Sequence, residues 1–254
     1  IDQALLSLSL SRMGDIDGEG LVKAPATMGA KSLERKKEIL KVQISRKTEA
    51  CPFANPLLDF NVKTGDCIWL NGSSGAGKTL TALHIAGIQT MRGVNSQMEW
   101  SAHINPDERV GILFQGAVLI DSLTVEGNIL LGLQSAVKVK GHMWAQAEAK
   151  RLGALVGLHW GRDRGKRPGE LSGGMRRRAA LAQLLAQGKK LIILDEPFVG
   201  LDPATAVSVA RELVHVRQVY GTAFLLISHV KEYVELLRPD HTITLETAPP
   251  APPP

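Results

Sequence analysis

Aromatic residues and cysteines are scarce in this chain of 254 residues. Only 4% of the residues are aromatic, and no basic stripe alternates with them, so we expect no nucleic-acid partner. The formal net charge is only +5, which an anionic membrane surface or a nucleotide site explains equally well. The two cysteines, Cys51 and Cys67, are too few for a disulfide framework and lack metal-binding spacing, which favours reduced thiols. No run of about 18 apolar residues occurs, so the sequence predicts no bilayer-spanning helix.

The chain does contain enough apolar sequence for a large core, since 44% of its residues are hydrophobic. We expect the folded domain to be residues 38–247. Residues 1–37 are rich in glycine, aspartate and charge and are predicted to form a loosely ordered N-terminal extension. Residues 248–254 are mostly proline, which predicts an extended tail. The first residue is Ile1 rather than methionine, so we expect a chain that is processed, trimmed or incomplete.

Predicted strands and helices alternate along the domain. The strands are predicted at residues 39–45, 56–62, 67–71, 110–114, 191–194 and 223–227. The helices are predicted at residues 78–88, 124–157, 174–187 and 204–220. This alternation indicates an α/β fold with a mostly parallel sheet, and the long helical stretch between two buried strands suggests an inserted subdomain.

Residues 72–79 match the phosphate-loop pattern G-x-x-x-x-G-K-[ST], after a predicted buried strand and before a predicted helix. The glycines let the backbone curl so that successive N–H groups point at phosphate oxygens, where the positive helix end also points. Lys78 is expected to contact the β- and γ-phosphates of a nucleotide, and the Thr79 hydroxyl to ligate Mg²⁺. The predicted nucleotide-binding residues of this loop are Gly72, Ser73, Ser74, Gly75, Ala76, Gly77, Lys78 and Thr79.

Two acidic residues, Asp195 and Glu196, follow the apolar run at residues 191–194. The carboxyl ends of parallel strands are where ligands bind in such sheets. Asp195 is therefore a candidate for holding Mg²⁺ through water, and Glu196 a candidate base for the water that attacks a γ-phosphate. In isolation the pair would be interpreted as an ordinary acidic turn, but the phosphate loop in the same chain argues against that.

Residues 171–175 read Leu-Ser-Gly-Gly-Met, which resembles the LSGGQ signature of the ABC ATPase family with methionine in the last place. The string opens the predicted helix at residues 174–187, where the family keeps its signature. The resemblance covers about residues 39–246. It implies a P-loop NTPase core with a mostly parallel sheet, an antiparallel β subdomain and a helical subdomain at about residues 116–172. It also implies that Ser172, Gly173 and Gly174 contact ATP held by a second subunit.

Three further positions resemble the family. Gln115 follows a predicted strand, where the resemblance implies a glutamine that touches Mg²⁺ and the attacking water and senses the membrane partner. Residues 200–202, Gly-Leu-Asp, resemble the D-loop of the subunit interface, and His229 resembles the switch histidine at the γ-phosphate. The implied catalytic residues are Glu196, His229 and Gln115, and the implied metal ligands are Thr79, Gln115 and Asp195.

The adenine contact departs from the family pattern. The family usually places an aromatic ring just after the first strand of its antiparallel subdomain, whereas this window holds Arg46, Lys47 and Thr48. Arg46 can stack on adenine through its planar guanidinium, or Phe53 can substitute from a longer loop. The sequence leaves both alternatives open.

The resemblance implies an ATPase subunit that docks on separate permease subunits through its helical subdomain, at the cytoplasmic or stromal face of a membrane. Residues 113–125 and 171–178 resemble ATPases of MCE-type lipid transport, although methionine in the signature also occurs in importers of small polar solutes. The run Arg176-Arg177-Arg178 is interpreted as a solvated helix face or as a phosphate or membrane contact. One alternative is a soluble ABC ATPase without a pore, which usually has two cassettes or a long coiled coil. Another is a degenerate cassette, against which Glu196 and His229 argue.

Overall fold

The computed structural model describes residues 36–47, 55, 57–114 and 118–246. The tail and most of the N-terminal extension lie outside these residues, as do Cys51, Phe53 and Gln115. What the sequence predicts for them therefore stays a prediction, and so does the division into domains.

The described elements alternate between strands and helices along most of the chain. The strands are β1 (Glu38–Arg46), β2 (Leu57–Lys63), β3 (Cys67–Gly72), β4 (Val94–Trp100), β5 (Val110–Leu113), β6 (Leu191–Asp195), β7 (Ala223–Ile227) and β8 (His241–Leu245). The helices are α1 (Lys78–Ile85), α2 (Val125–Gly132), α3 (Gln134–Lys140), α4 (His142–Leu155), α5 (Trp160–Asp163), α6 (Gly173–Ala186), α7 (Pro203–Tyr220) and α8 (Lys231–Leu237).

Five of the described strands form a parallel sheet in the order β5-β6-β7-β3-β8. Every residue of β6 and β7 is buried, which is typical of continuous apolar strands covered on both faces. The predicted α/β class with a parallel sheet is confirmed. The sequence does not predict β8, because only its last residue, Leu245, is buried and the strand pairs on one side only, with β3.

A second sheet of three strands is antiparallel, in the order β2-β1-β4. In β1 the buried residues Leu40, Val42 and Ile44 alternate with partly exposed ones, which is the period-2 pattern that predicts this strand. The sequence does not predict β4, because Val94 is its only fully buried residue and the rest is mostly polar. Pairing with β1 keeps β4 in the sheet as an edge strand.

The described helices α2 to α6 all lie between β5 and β6. The sequence predicts one largely helical stretch over residues 124–157, whereas the structure interrupts it at Leu133 and at Gly141, which has a φ of 85°. Helices α2 and α6 approach closely at Gly132, where an added Cβ would lie 2.4 Å from the Gln183 carbonyl oxygen. None of the helices in the described ranges is long and apolar enough to cross a bilayer.

Candidate functional site

Three adjacent strands of the parallel sheet end at one edge. The strands β6, β7 and β3 lie side by side and end at Asp195, Ile227 and Gly72 respectively. Because parallel strands direct their carboxyl ends to the same side, the loops that follow them meet there. This topology brings the phosphate loop, the acidic pair and Ser228-His229 together, although more than a hundred residues separate Gly72 from Asp195 in the chain.

The loop between β3 and α1 is a cradle of backbone. Gly75 and Gly77 have φ values of 81° and 84°, and no heavy atom lies within 4 Å of an added Cβ at either position. The Lys78 ammonium folds back over the loop, where it donates to the carbonyl oxygens of Gly72 at 2.8 Å and Ser73 at 2.9 Å. Ser73, Ser74 and Gly75 are exposed, whereas Lys78 is buried. The loop therefore opens towards solvent with a cation at its base, which fits a phosphate group.

Two oxygen-bearing side chains lie together where the loop enters α1. The Thr79 Oγ1 hydroxyl donates to Asp195 Oδ2 at 2.9 Å, and the Asp195 side chain ends the buried strand β6. The described residues contain no cluster of three or more histidine, cysteine, aspartate or glutamate side chains that could enclose a metal by themselves. This donor set fits Mg²⁺, which usually takes one or two protein oxygens and completes its shell with phosphates and water.

The Glu196 carboxylate is oriented by the end of β7. Its Oε2 accepts a hydrogen bond from Ser228 Oγ at 3.3 Å, and its Oε1 accepts one from the His229 N–H at 3.2 Å. His229 Nε2 lies 3.6 Å from the same Oε1 and its side chain is 57% exposed. Glu196 itself has a φ of 50°, a left-handed conformation that is uncommon for any residue other than glycine. A carboxylate held in this way can act as a base towards water near the phosphate loop.

Of residues 176–178, Arg176 is exposed, so for this residue both the solvated face and the phosphate or membrane contact stay predictions. Arg177 is only 6% exposed and donates to the backbone carbonyls of residues 195–197. Arg178 donates to the Gly157 carbonyl oxygen at 2.6 Å. A signal for Arg177 exists in the sequence: it shares the buried face of α6 with Ala180, Leu181 and Leu184, at helical spacing.

The start of α6 lies at the surface. Ser172 caps the helix, with its Oγ accepting from the Met175 N–H at 3.2 Å, and both Ser172 and Gly173 are exposed. Gly174 packs against the backbone of the loop between β6 and α7, since an added Cβ would lie 3.0 Å from the Gly200 carbonyl oxygen. The exposed N-terminus of α6 can therefore receive an anion from outside the chain.

The structure describes the residues that resemble the D-loop but only part of the segment expected to contact adenine. Asp202 caps α7 by accepting from the Thr205 hydroxyl at 2.6 Å and the Thr205 N–H at 3.0 Å, and these bonds lower the pKa of the Asp202 carboxyl. Arg46 is the last residue of β1 and is half-buried. Since Phe53 lies outside the described residues, the choice between Arg46 and Phe53 stays open.

The family model described as ABC transporter matches residues 57–199, more than half of the chain. The chain belongs to the ABC transporter family. The matched stretch includes the phosphate loop, the Leu-Ser-Gly-Gly-Met string and the acidic pair, and β7 and His229 follow it.

Two relatives from this family illustrate the similarity. The chain is 32% identical over 192 residues to the bicarbonate transport ATP-binding protein CmpC of Synechocystis sp., covering 76% of this chain and 28% of that protein. It is 33% identical over 180 residues to the sulfate/thiosulfate import ATP-binding protein CysA of Pseudomonas aeruginosa, with coverages of 69% and 54%. The chain thus spans between about a quarter and about a half of these relatives' length.

The fold also matches that of solved ABC structures. A dimeric post-hydrolysis structure of the ATP-binding cassette MJ0796, bound to ADP and Pi, has a TM-score of 0.65 to this chain. The sequences are 21% identical, and the match covers 82% of this chain and 97% of that one. This likeness confirms the fold: a P-loop NTPase core together with an antiparallel sheet.

Proposed function

We propose that this chain is the ATP-binding and ATP-hydrolysing subunit of an ABC transporter. The observation that carries the proposal is the position of Glu196. Its two carboxylate oxygens are held by Ser228 Oγ and the His229 N–H, at the sheet edge where the phosphate loop begins. A base placed there can accept the proton of a water molecule that attacks the γ-phosphate of ATP.

The other residues of this edge have separate roles in the proposal. Lys78 now binds two carbonyls of its own loop, and a triphosphate would offer it stronger, charge-assisted partners. Thr79 and Asp195, with Gln115 as a further predicted ligand, would hold Mg²⁺, which offsets the negative charge of the phosphates. His229, which is exposed beside Glu196, would contact a phosphate oxygen in this proposal.

A second copy of an ABC ATPase subunit completes the site in this proposal. Ser172 and Gly173 are exposed at the N-terminus of α6, a position suited to the γ-phosphate of ATP bound by the partner. Two such subunits would close on two ATP molecules and separate after hydrolysis. The dimer would act on permease subunits, docked through the helices between β5 and β6, so the protein would lie at the cytoplasmic or stromal face of a membrane.

The cargo has two candidates. The names of the relatives above, which concern bicarbonate and sulfate or thiosulfate, support an importer of a small polar solute. Lipid transport is the second candidate and rests on the strings at residues 113–125 and 171–178. The second string now carries less weight as a membrane contact, because Arg177 and Arg178 bind carbonyls of their own chain.

The pairing can be tested with a variant that traps ATP. Glu196→Gln keeps the hydrogen-bonding shape but removes the base, so it should bind ATP, hydrolyse it about 10²- to 10⁴-fold more slowly and elute as a dimer on sizing. Adding Ser172→Arg should return the protein to a monomer, since a bulky cation would fill the exposed start of α6. The matched control is Ser96→Arg, at an exposed serine on β4. An ATP-dependent dimer in the Ser172→Arg variant would refute the contact with the partner's ATP.

A further inference from the structure

One buried cation connects helix α6 to the turn that carries Glu196. The Arg177 guanidinium donates from Nη2 to the Asp195 carbonyl oxygen at 2.9 Å and from Nε to the Pro197 carbonyl oxygen at 3.2 Å. Nη2 also donates to the Glu196 carbonyl oxygen. A single side chain therefore binds three successive carbonyls of the turn after β6, across 18 to 20 residues of sequence.

Burying the Arg177 guanidinium costs folding stability, which its hydrogen bonds to the turn must offset. Burial lowers the pKa of Arg177, while the nearby Glu196 and Asp195 carboxylates act in the opposite direction. A buried guanidinium is tolerated only where its N–H groups are hydrogen-bonded. The turn it binds is itself strained, because Glu196 has a φ of 50°. Strain of this kind persists only where the surroundings fix the backbone.

Ser172 caps the N-terminus of the same helix. Arg177 lies five residues after Ser172, a rise of about 7.5 Å along the helix axis, so the cap and Arg177 move together as one rigid unit. Gly174, in the first turn, also packs on the Gly200 carbonyl oxygen just beyond the Glu196 turn. A displacement of the N-terminus of α6 would therefore shift the turn after β6 in two ways. One is through the Arg177 side chain, and the other is through the contact of Gly174 with the Gly200 backbone.

We propose that Arg177 is a positioning residue that couples contact at Ser172 to the orientation of the Glu196 carboxylate in the same subunit. The inference rests on the proposed function. When the partner's ATP binds at the N-terminus of α6, the helix shifts and Arg177 shifts with it. Because Arg177 is hydrogen-bonded to the carbonyls of residues 195–197, this shift changes the position of the Glu196 carboxylate. Each subunit would then hydrolyse its own ATP efficiently only after its α6 has engaged the partner's ATP.

The test compares Arg177→Gln and Arg177→Lys with the wild-type protein, and Arg176→Gln serves as the matched control because Arg176 is exposed on the same helix. Arg177→Gln should lower kcat by about 10- to 100-fold, since a misplaced reacting group costs rate rather than nucleotide binding. The ATP Kd of the isolated subunit should change less than about twofold, and the ATP-dependent dimer in the Glu196→Gln background should persist. Arg177→Lys, which keeps the charge but reaches fewer carbonyls, should recover part of kcat. Arg176→Gln should leave kcat unchanged.

Several results would overturn the inference. A kcat for Arg177→Gln within about twofold of the wild type would do so, and so would equal losses of kcat, ATP affinity and dimer formation, which indicate a merely structural role. Should Arg177→Gln fail to fold, Arg177→Lys decides: an unchanged kcat for that variant contradicts the coupling. A wild-type protein that binds ATP but never hydrolyses it, with its partners present, would instead refute the proposed function.

Discussion

Replacing Gly72 with alanine should damage the phosphate loop more than the same change at Gly75. Gly72 closes β3 with a φ of 145°, and an added Cβ would lie 2.6 Å from the Leu245 carbonyl oxygen of β8 and 3.3 Å from the Ala76 Cβ. Ordinary contacts between carbon and oxygen lie at about 3.3 Å or more, so the two strands would have to separate by roughly 0.7 Å. Overpacking of this kind costs about 1–3 kcal/mol. The positive φ costs about another 1–3 kcal/mol for a residue with a Cβ.

At Gly75 alanine would incur only the cost of the positive φ, without a steric clash. Its φ is 81° and no heavy atom lies within 4 Å of the added Cβ, so the expected cost of alanine is about 1–2 kcal/mol. The free energy of unfolding of each variant can be measured by urea denaturation followed by circular dichroism. Gly173→Ala, at an open position with an ordinary φ, calibrates the series and should stay within about 0.5 kcal/mol of the wild type.

The binding of a fluorescent ATP analogue gives the functional readout. The N–H groups of the loop must converge on one phosphate. Each 1.4 kcal/mol needed to return the loop to its native backbone conformation therefore lowers the affinity for the ATP analogue about tenfold. We expect affinity to fall in both loop variants and to fall further in Gly72→Ala. Equal stability of Gly72→Ala and Gly75→Ala would refute the reasoning, because it would show that the approach of β3 to β8 does not constrain the loop.

Two further predictions concern the helices between β5 and β6. Gly132→Ala should lower the free energy of unfolding by about 1–3 kcal/mol, because the new Cβ would meet the Gln183 carbonyl oxygen at 2.4 Å. Gly165→Ala, with open space around it, should not, and urea midpoints that coincide for the two variants would contradict this packing. Asp163→Asn should destabilise the protein at pH 7, since the Arg162 side chain, aided by Lys166 and the backbone of His159, lowers the pKa of the Asp163 carboxyl against the effect of burial. That stabilisation is present above the unfolded-state pKa of about 4 and is lost as the pH falls towards the folded-state pKa, so the difference from wild type should shrink below about pH 4. A difference of equal size at pH 7 and pH 3 would rule this out.

The sequence by itself predicts those parts of the site whose chemistry lies in consecutive residues. The phosphate loop, the acidic pair and the helix start at Ser172 are each a short string in which glycine, lysine, hydroxyl and carboxylate groups have a local reason for their order. The buried strands β6 and β7 are predicted for the same reason, because a continuous apolar run is a local signal.

The tertiary structure alone decided which of these strings meet. The contact of Glu196 with Ser228 and His229 spans 32 and 33 residues and exists because β6 and β7 are neighbours in the sheet. Arg177, interpreted from the sequence as part of a solvated face or of a phosphate or membrane contact, is buried because α6 packs against the turn after β6. The sequence also does not predict the mostly polar edge strands β4 and β8, because each buries only one residue fully, Val94 and Leu245, and the backbone pairing with β1 or β3 depends on the sheet. Strand order and helix packing depend on which distant segments of the chain are buried against each other. No local sequence pattern specifies those contacts.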